Sequence, residues 1–149
     1  MNVRLRSVLL PFALAPLLVA MVAPPLACSA PCAQVTHYYT GGQTIQTDTL
    51  IRYETSPDAG PFLPFQGGAA LHLRHEMGVR PQTIQIYLSF NQYPFQENAG
   101  GYSQAAGNQA IVLGADEQEV LVKNDSCSAY WIRVVLTGVP ASLTDAGPG

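Results

Sequence analysis

Three groups of residues in the sequence carry side chains capable of chemistry, and each fails a test of spacing or of flanking structure. His72, His75 and Glu76 suggest metal ligation. On a strand, residues three apart face opposite sides, so His72 and His75 do not converge on one ion. The His75-Glu76 pair also lacks the second histidine of a zinc-protease helix, whose place is held by Val79. A turn that joins His75 to Glu76, with His37 from another strand, is the remaining metal reading. A histidine packed at a strand end and bonded to backbone is the alternative. Gly101-Tyr102-Ser103-Gln104-Ala105 has the outline of a nucleophile elbow, but an elbow needs a strand before it and a helix after it, and neither pattern flanks Ser103. Asp116, Glu117 and Glu119 lack the spacing of a calcium loop and read as a solvated turn. Asn124-Asp125-Ser126 matches a glycosylation acceptor. No catalytic residue, metal or other cofactor is expected, and a metal-dependent hydrolase ranks last among the functions considered.

A different kind of chemistry is written into residues 90–108, FNQYPFQENAGGYSQAAGN. Phe90, Tyr93, Phe95 and Tyr102 stand among Asn91, Gln92, Gln96, Glu97, Asn98 and Gln104. Aromatic faces stack on sugar rings or peptide surfaces, while amides read hydroxyls or backbone. Tyr93, Phe95, Glu97 and Tyr102 are the candidate ligand-binding residues. The competing reading tucks Phe90, Phe95 and Tyr93 onto the domain as an inert lid.

The elements that must position this loop are short alternating strands. Gln82 to Phe90, QTIQIYLSF, sets Ile84, Ile86, Leu88 and Phe90 against Thr83, Gln85, Tyr87 and Ser89, a period of two on a half-buried surface. This stretch is expected to be the central strand. Tyr130 to Val139 puts Tyr130, Ile132, Val134 and Leu136 on one face, and Trp131, Arg133 and Val135 on the other. Further strands are predicted over 34–40, 44–53, 69–75, 110–113 and 119–123. Gly, Pro, Asn and Asp punctuate them, and 56–68 reads as a loop laying Phe62 and Phe65 over a sheet edge. No run of apolar positions repeats at helical spacing. The expected fold is all-β: a small antiparallel sandwich of about seven strands following an N-terminal signal peptide.

That signal occupies residues 1–27. Arg4 and Arg6 form a basic start, 7–23 is uncharged and almost wholly apolar, and small residues follow. Pro11, Pro16, Pro24 and Pro25 interrupt the run and disfavour a membrane-spanning helix. Leu26-Ala27-Cys28 resembles the end of a bacterial lipoprotein box, with Pro25 where an aliphatic or small residue is usual, so Cys28 is a candidate for lipidation. A cut near residue 30 is the alternative and leaves Pro31 just after it. Either cut leaves Cys32 and Cys127 as a pair, as an exported chain with three cysteines favours. Their disulfide would close a loop worth roughly 4–5 kcal/mol in the chain-entropy model. Residues 28–33 are a short linker, 34–139 the domain, and 140–149 a flexible tail. Without Arg4 and Arg6, five basic residues face ten acidic ones with no basic cluster, which disfavours nucleic acid.

The order Leu73-x-His75-x-Met77-Gly78-x-x-Pro81, followed by an alternating strand, resembles the H-x-L-G-x-x-P hairpin of β-modules in phage tail fibres and related exported bacterial proteins. Met77 stands where leucine is usual. The closing part, a valine-rich strand, a polar turn and a strand carrying Arg133-Val134, extends the resemblance over 71–136. It implies a sandwich used for surface recognition and carries no functional residue across. The expected role is an exported bacterial β-sandwich module, non-catalytic, free or lipid-anchored in the cell envelope. Its partner is a protein or a glycan at the cell surface, with a carbohydrate- or ligand-binding module as the alternative. Contact with a membrane would come only through a lipid at Cys28.

Overall fold

The strand from Tyr130 to Gly138 is bordered on both sides by partners, and the rest of the chain is arranged about it. In the computed structural model, which describes residues 34–141, ten strands run in chain order: β1 (Thr36–Tyr39), β2 (Gln43–Gln46), β3 (Ile51–Glu54), β4 (Leu63–Phe65), β5 (Ala70–Arg74), β6 (Thr83–Ser89), β7 (Ser103–Gln104), β8 (Ile111–Ala115), β9 (Glu119–Lys123) and β10 (Tyr130–Gly138). Among residues 34–140, helix is confined to two single 3-10 turns at Pro57–Ala59 and Gly107–Gln109. The signal segment, Cys28, Cys32 and most of the tail lie outside the described residues.

Two sheets form a sandwich. One has the order β1-β5-β9-β8. The other runs β2-β3-β10-β6-β7, with β4 also paired to β10. Strand β10 pairs antiparallel with β6 from Trp131↔Ser89 to Thr137↔Thr83. Its other side takes β4 at Tyr130–Ile132 and β3 at Val135–Gly138. The centre is therefore β10, and β6 is its neighbour. The expected strand over 44–53 is a hairpin instead. Thr47 and Leu50 close its turn through N–H and hydroxyl bonds to the Leu50 carbonyl at 2.8 and 3.1 Å, separating β2 from β3. Pairing is antiparallel throughout except for β1 and β5, which are parallel. Side-chain alternation is the same for either direction of pairing, so the exception leaves no mark in the residue pattern.

Alternation places the core between the sheets. Leu71 and Leu73 of β5 and Val120 and Val122 of β9 face Ile51, Tyr53, Ile86, Leu88, Ile132, Val134 and Leu136 from the other sheet, with Phe65 of β4 closing one end. Each fully buried aliphatic side chain contributes about 1.5–3 kcal/mol. Phe65 is therefore part of the core, in a strand, and does not lie over an edge. Met77 plugs the other end from the turn after β5. Gly78 follows at φ +68, a left-handed conformation that a side chain would strain.

His75 explains how that turn is held. It is fully buried, and its Nδ1 accepts the Met77 N–H at 3.2 Å, which puts the ring proton on Nε2. Nε2 is buried without a hydrogen-bond partner. Burial pushes the His75 pKa below its ordinary value, while the backbone and carboxylate of Asp116 oppose the fall. His72, with the opposite strand parity, is half-buried on the outer face, bonded to Glu119, and His37 is exposed. The three histidines do not converge. Among the described residues, no three His, Cys, Asp or Glu side chains are placed to share an ion.

Candidate functional site

The loop after β6 is a closed excursion that returns to the strand it left. Strand β6 stops at Ser89 because that hydroxyl donates to the Gly101 carbonyl at 2.8 Å and accepts the Asn91 N–H at 2.9 Å. Asn91 Oδ1 then accepts the Tyr93 N–H at 3.0 Å, an Asx turn that reverses the chain. Two further turns follow, with Gln96 N–H bonded to Tyr93 O and Ala99 N–H to Gln96 O. Gly100 and Gly101, at φ +80 and +73, swing the chain back so that β7 pairs with β6 at Leu88↔Ser103 and Tyr87↔Gln104. A loop whose ends meet and whose own side chains pack it is an Ω-loop.

A second loop, between β3 and β4, pins this one. The Phe62 N–H donates to Gln92 O at 2.8 Å. The Phe62 ring is fully buried on the outer face of the six-stranded sheet, 5.8 Å from both the Phe95 and the Tyr102 ring. Phe95 and Tyr102 meet at 5.1 Å, and Tyr87 of β6 sits edge-on to Tyr102 at 5.5 Å. Beneath them the Arg133 guanidinium lies 5.3 Å from the Phe95 ring centre and donates to Glu54, which also accepts from Arg52 at 2.9 Å. An arginine face under an aromatic ring adds about 0.5–2 kcal/mol as it desolvates.

Pinning does not hide the rings. Phe95 remains 39% exposed and Tyr102 44%, with Tyr93 at 41%. Phe90, the last residue of the alternating stretch, is 84% exposed, because the strand has ended one residue earlier. Its ring stands 5.4 Å from Tyr130 at 45°. Beside these two touching rings opens a cleft of about 290 Å³, lined further by Leu88, Ser89, Ala99, Gly100, Gly101, Tyr102, Ser103 and Gln109. Gln109 Nε2 donates to the Tyr130 hydroxyl at 3.4 Å, and Gln109 Oε1 accepts the Ala106 N–H at 3.2 Å. Hydrogen bonding from Ser128, opposed by partial burial and helped by Gln109 and Ser126, draws the Tyr130 phenol below its usual pKa.

Of the four predicted ligand residues, the structure brings together Phe95 and Tyr102. Tyr93 stands outside both the ring cluster and the cleft, and Glu97 is exposed with no bonded partner among the described residues. Residues that spacing did not single out are Tyr130, Gln109, Phe62 and Arg133. Their contribution comes from register, since Tyr130 faces Phe65 across the sheet while Arg133 faces outward from β10. The polar groups singled out elsewhere serve the fold. Asp116 Oδ1 caps the β8–β9 turn by accepting N–H groups of Gln118 and Glu119 at 2.8 and 2.7 Å. Asn124 is buried. Its Nδ2 donates to the carbonyls of Phe65, Gln66 and Ser128, so the folded domain offers no nitrogen there for a glycan. Ser103 lies on the edge strand β7. No family model matches the chain, and neither do any curated protein or solved structure.

Proposed function

We propose that this chain is an exported bacterial interaction module that contacts its partner through the pinned aromatic loop 90–102, without catalysing a reaction. The observation that carries the reading is that Phe62, Phe95, Tyr102 and Tyr87 interlock into one body while Phe90, Tyr93, Phe95 and Tyr102 all keep exposed faces. Aromatic groups held in place before contact lose little entropy on binding, which favours them as anchors. An inert lid would bury its rings. The resemblance over 71–136 to exported β-modules used in surface recognition points the same way.

Export rests on the basic and apolar layout of 1–27 and the small residues after it. Lipidation at Cys28 or a cut near residue 30 completes the proposal, with the Cys32–Cys127 disulfide in either case.

An intact mass of the mature protein from its native host, before and after reduction and alkylation, tests export and the disulfide. A start at Cys28 with acyl mass, or near residue 31 without it, is expected, with two alkylations that appear only after reduction. Binding of the purified domain to isolated envelope fractions tests the contact surface. Wild type is expected to sediment with them and the Phe90→Ser/Tyr93→Ser variant to remain in the supernatant. Equal binding by both removes the loop from the proposal.

A further inference from the structure

The cleft beside Phe90 and Tyr130 shares Tyr102 with the ring cluster but lacks its arginine and carboxylate. No lysine, arginine, aspartate or glutamate lines it. Its groups are three aromatic side chains, Phe90, Tyr102 and Tyr130, the aliphatic Leu88 and Ala99, the hydroxyls of Ser89 and Ser103, the Gln109 amide and the bare backbone of Gly100 and Gly101. A Cβ added to either glycine would meet nothing within 4 Å, so both leave open space next to exposed peptide groups. An anionic ligand finds no cation here. A purely apolar one would cover the Ser103 hydroxyl, which has no hydrogen-bond partner among the described residues, at a cost of about 1–3 kcal/mol.

We propose that this cleft takes one ring of a neutral sugar, its C–H face on Phe90 and its hydroxyls toward Gln109, Ser103 and Tyr130. The inference rests on the reading of loop 90–102 as a contact surface, and it names the ligand class. The volume, about 290 Å³, lies at the lower end of ligand pockets and suits one ring of a longer glycan. Phe90 is exposed enough to serve as a platform, and Tyr130, tilted 45° to it, forms a wall that keeps a ring from sliding. The Tyr130 oxygen accepts from Gln109, which holds the amide and the phenol together at the rim of the cleft. One open platform gives weak binding, in the millimolar range.

The test is amide NMR of the mature domain titrated with methyl glycosides of glucose, galactose, mannose and N-acetylglucosamine and their trisaccharides, to tens of millimolar. N-acetyl-tyrosinamide serves as the aromatic-peptide probe. Saturable shifts centred on Phe90, Gly100, Gly101 and Gln109 are expected with at least one saccharide. They should weaken by about tenfold in Phe90→Ala, a loss equivalent to one stacking contact, and stay unchanged in Tyr38→Ala, which lies on the four-stranded sheet, stacked on His72. Shifts centred elsewhere, or none with any saccharide, overturn the sugar assignment, as does tighter binding of N-acetyl-tyrosinamide. If the saccharides fail while loop-dependent envelope binding persists, the interaction reading stands and the ligand class falls. If envelope binding is indifferent to the loop, the broader reading falls with it.

Discussion

The two outer faces of the sandwich carry the same three kinds of group in different surroundings. On the six-stranded sheet Arg133 lies between the Glu54 carboxylate and the Phe95 ring, under two loops. On the four-stranded sheet His72 lies between Glu119, at 2.6 Å, and the Tyr38 ring, stacked at 4.7 Å, with no loop of the described residues above. Glu54 and Arg133 are 12% and 15% exposed at their side chains; Tyr38 is 73% exposed. A base, an acid and a ring therefore do not define a role. Cover decides whether the set acts as structural framework or as a solvated surface pair. On the covered face the set anchors a loop that shows aromatic rings to solvent. On the other face, among the described residues, it has no loop to anchor.

The sharpest way to break this contrast is to remove the acid from each set. Glu54→Ala leaves Arg133 covered without its carboxylate, with Nε already lacking a partner. It should cost about 3–5 kcal/mol, the range for a broken buried pair. Glu119→Ala should cost about 0–1 kcal/mol, as exposed pairs do. Urea denaturation midpoints measure both, and equal losses would abolish the distinction.

Removing a ring from each face gives the next effect. Phe62→Ala empties the pocket that holds Phe95 and Tyr102 and should cost about 3 kcal/mol, whereas Tyr38→Ala should change stability by about 0.5 kcal/mol or less. The former is also expected to release the loop, read as sharpened, averaged amide signals over 91–102.

Titration sharpens the same contrast at the buried His75. Its folded pKa is lowered, so the native ring stays neutral where the unfolded ring gains a proton. Stability from this group is complete above the unfolded pKa, about 6.5, and declines as pH falls through it. His75→Asn, which retains an acceptor for the Met77 N–H, should flatten the slope of melting temperature between about pH 7 and pH 5. A slope unchanged from wild type would assign the acid sensitivity elsewhere. The smallest effect on stability is expected from Phe90→Ala, within about 0.5 kcal/mol, because the ring is outside the packed body.

Much of the framework was legible because a half-buried strand must alternate. Ile84, Ile86 and Leu88, and Ile132, Val134 and Leu136, face the core as their spacing requires. The same rule carried one residue too far puts Phe90 inward. Ser89 ends the strand through bonds to Gly101 and Asn91, and that ending depends on a return of the chain twelve residues later. The hairpin within 44–53 was hidden because Thr and Ile favour strands on both sides of the turn. Composition revealed the aromatic loop, yet the packing of its rings depends on Phe62 from a different loop and Arg133 from a distant strand. Such contacts are properties of pairing, which one chain's residue pattern does not encode locally.

The most direct test of a pinned aromatic surface is the hydrogen exchange of one amide. The Phe62 N–H donates to the Gln92 carbonyl, the backbone link between the two loops. If the loops form one packed body, this amide exchanges far more slowly than an unstructured peptide and accelerates when Phe95 and Tyr102 are replaced by alanine. Exchange at the free-peptide rate in the wild-type domain would mean that the loop is not held, and the proposed contact surface would lose its structural basis.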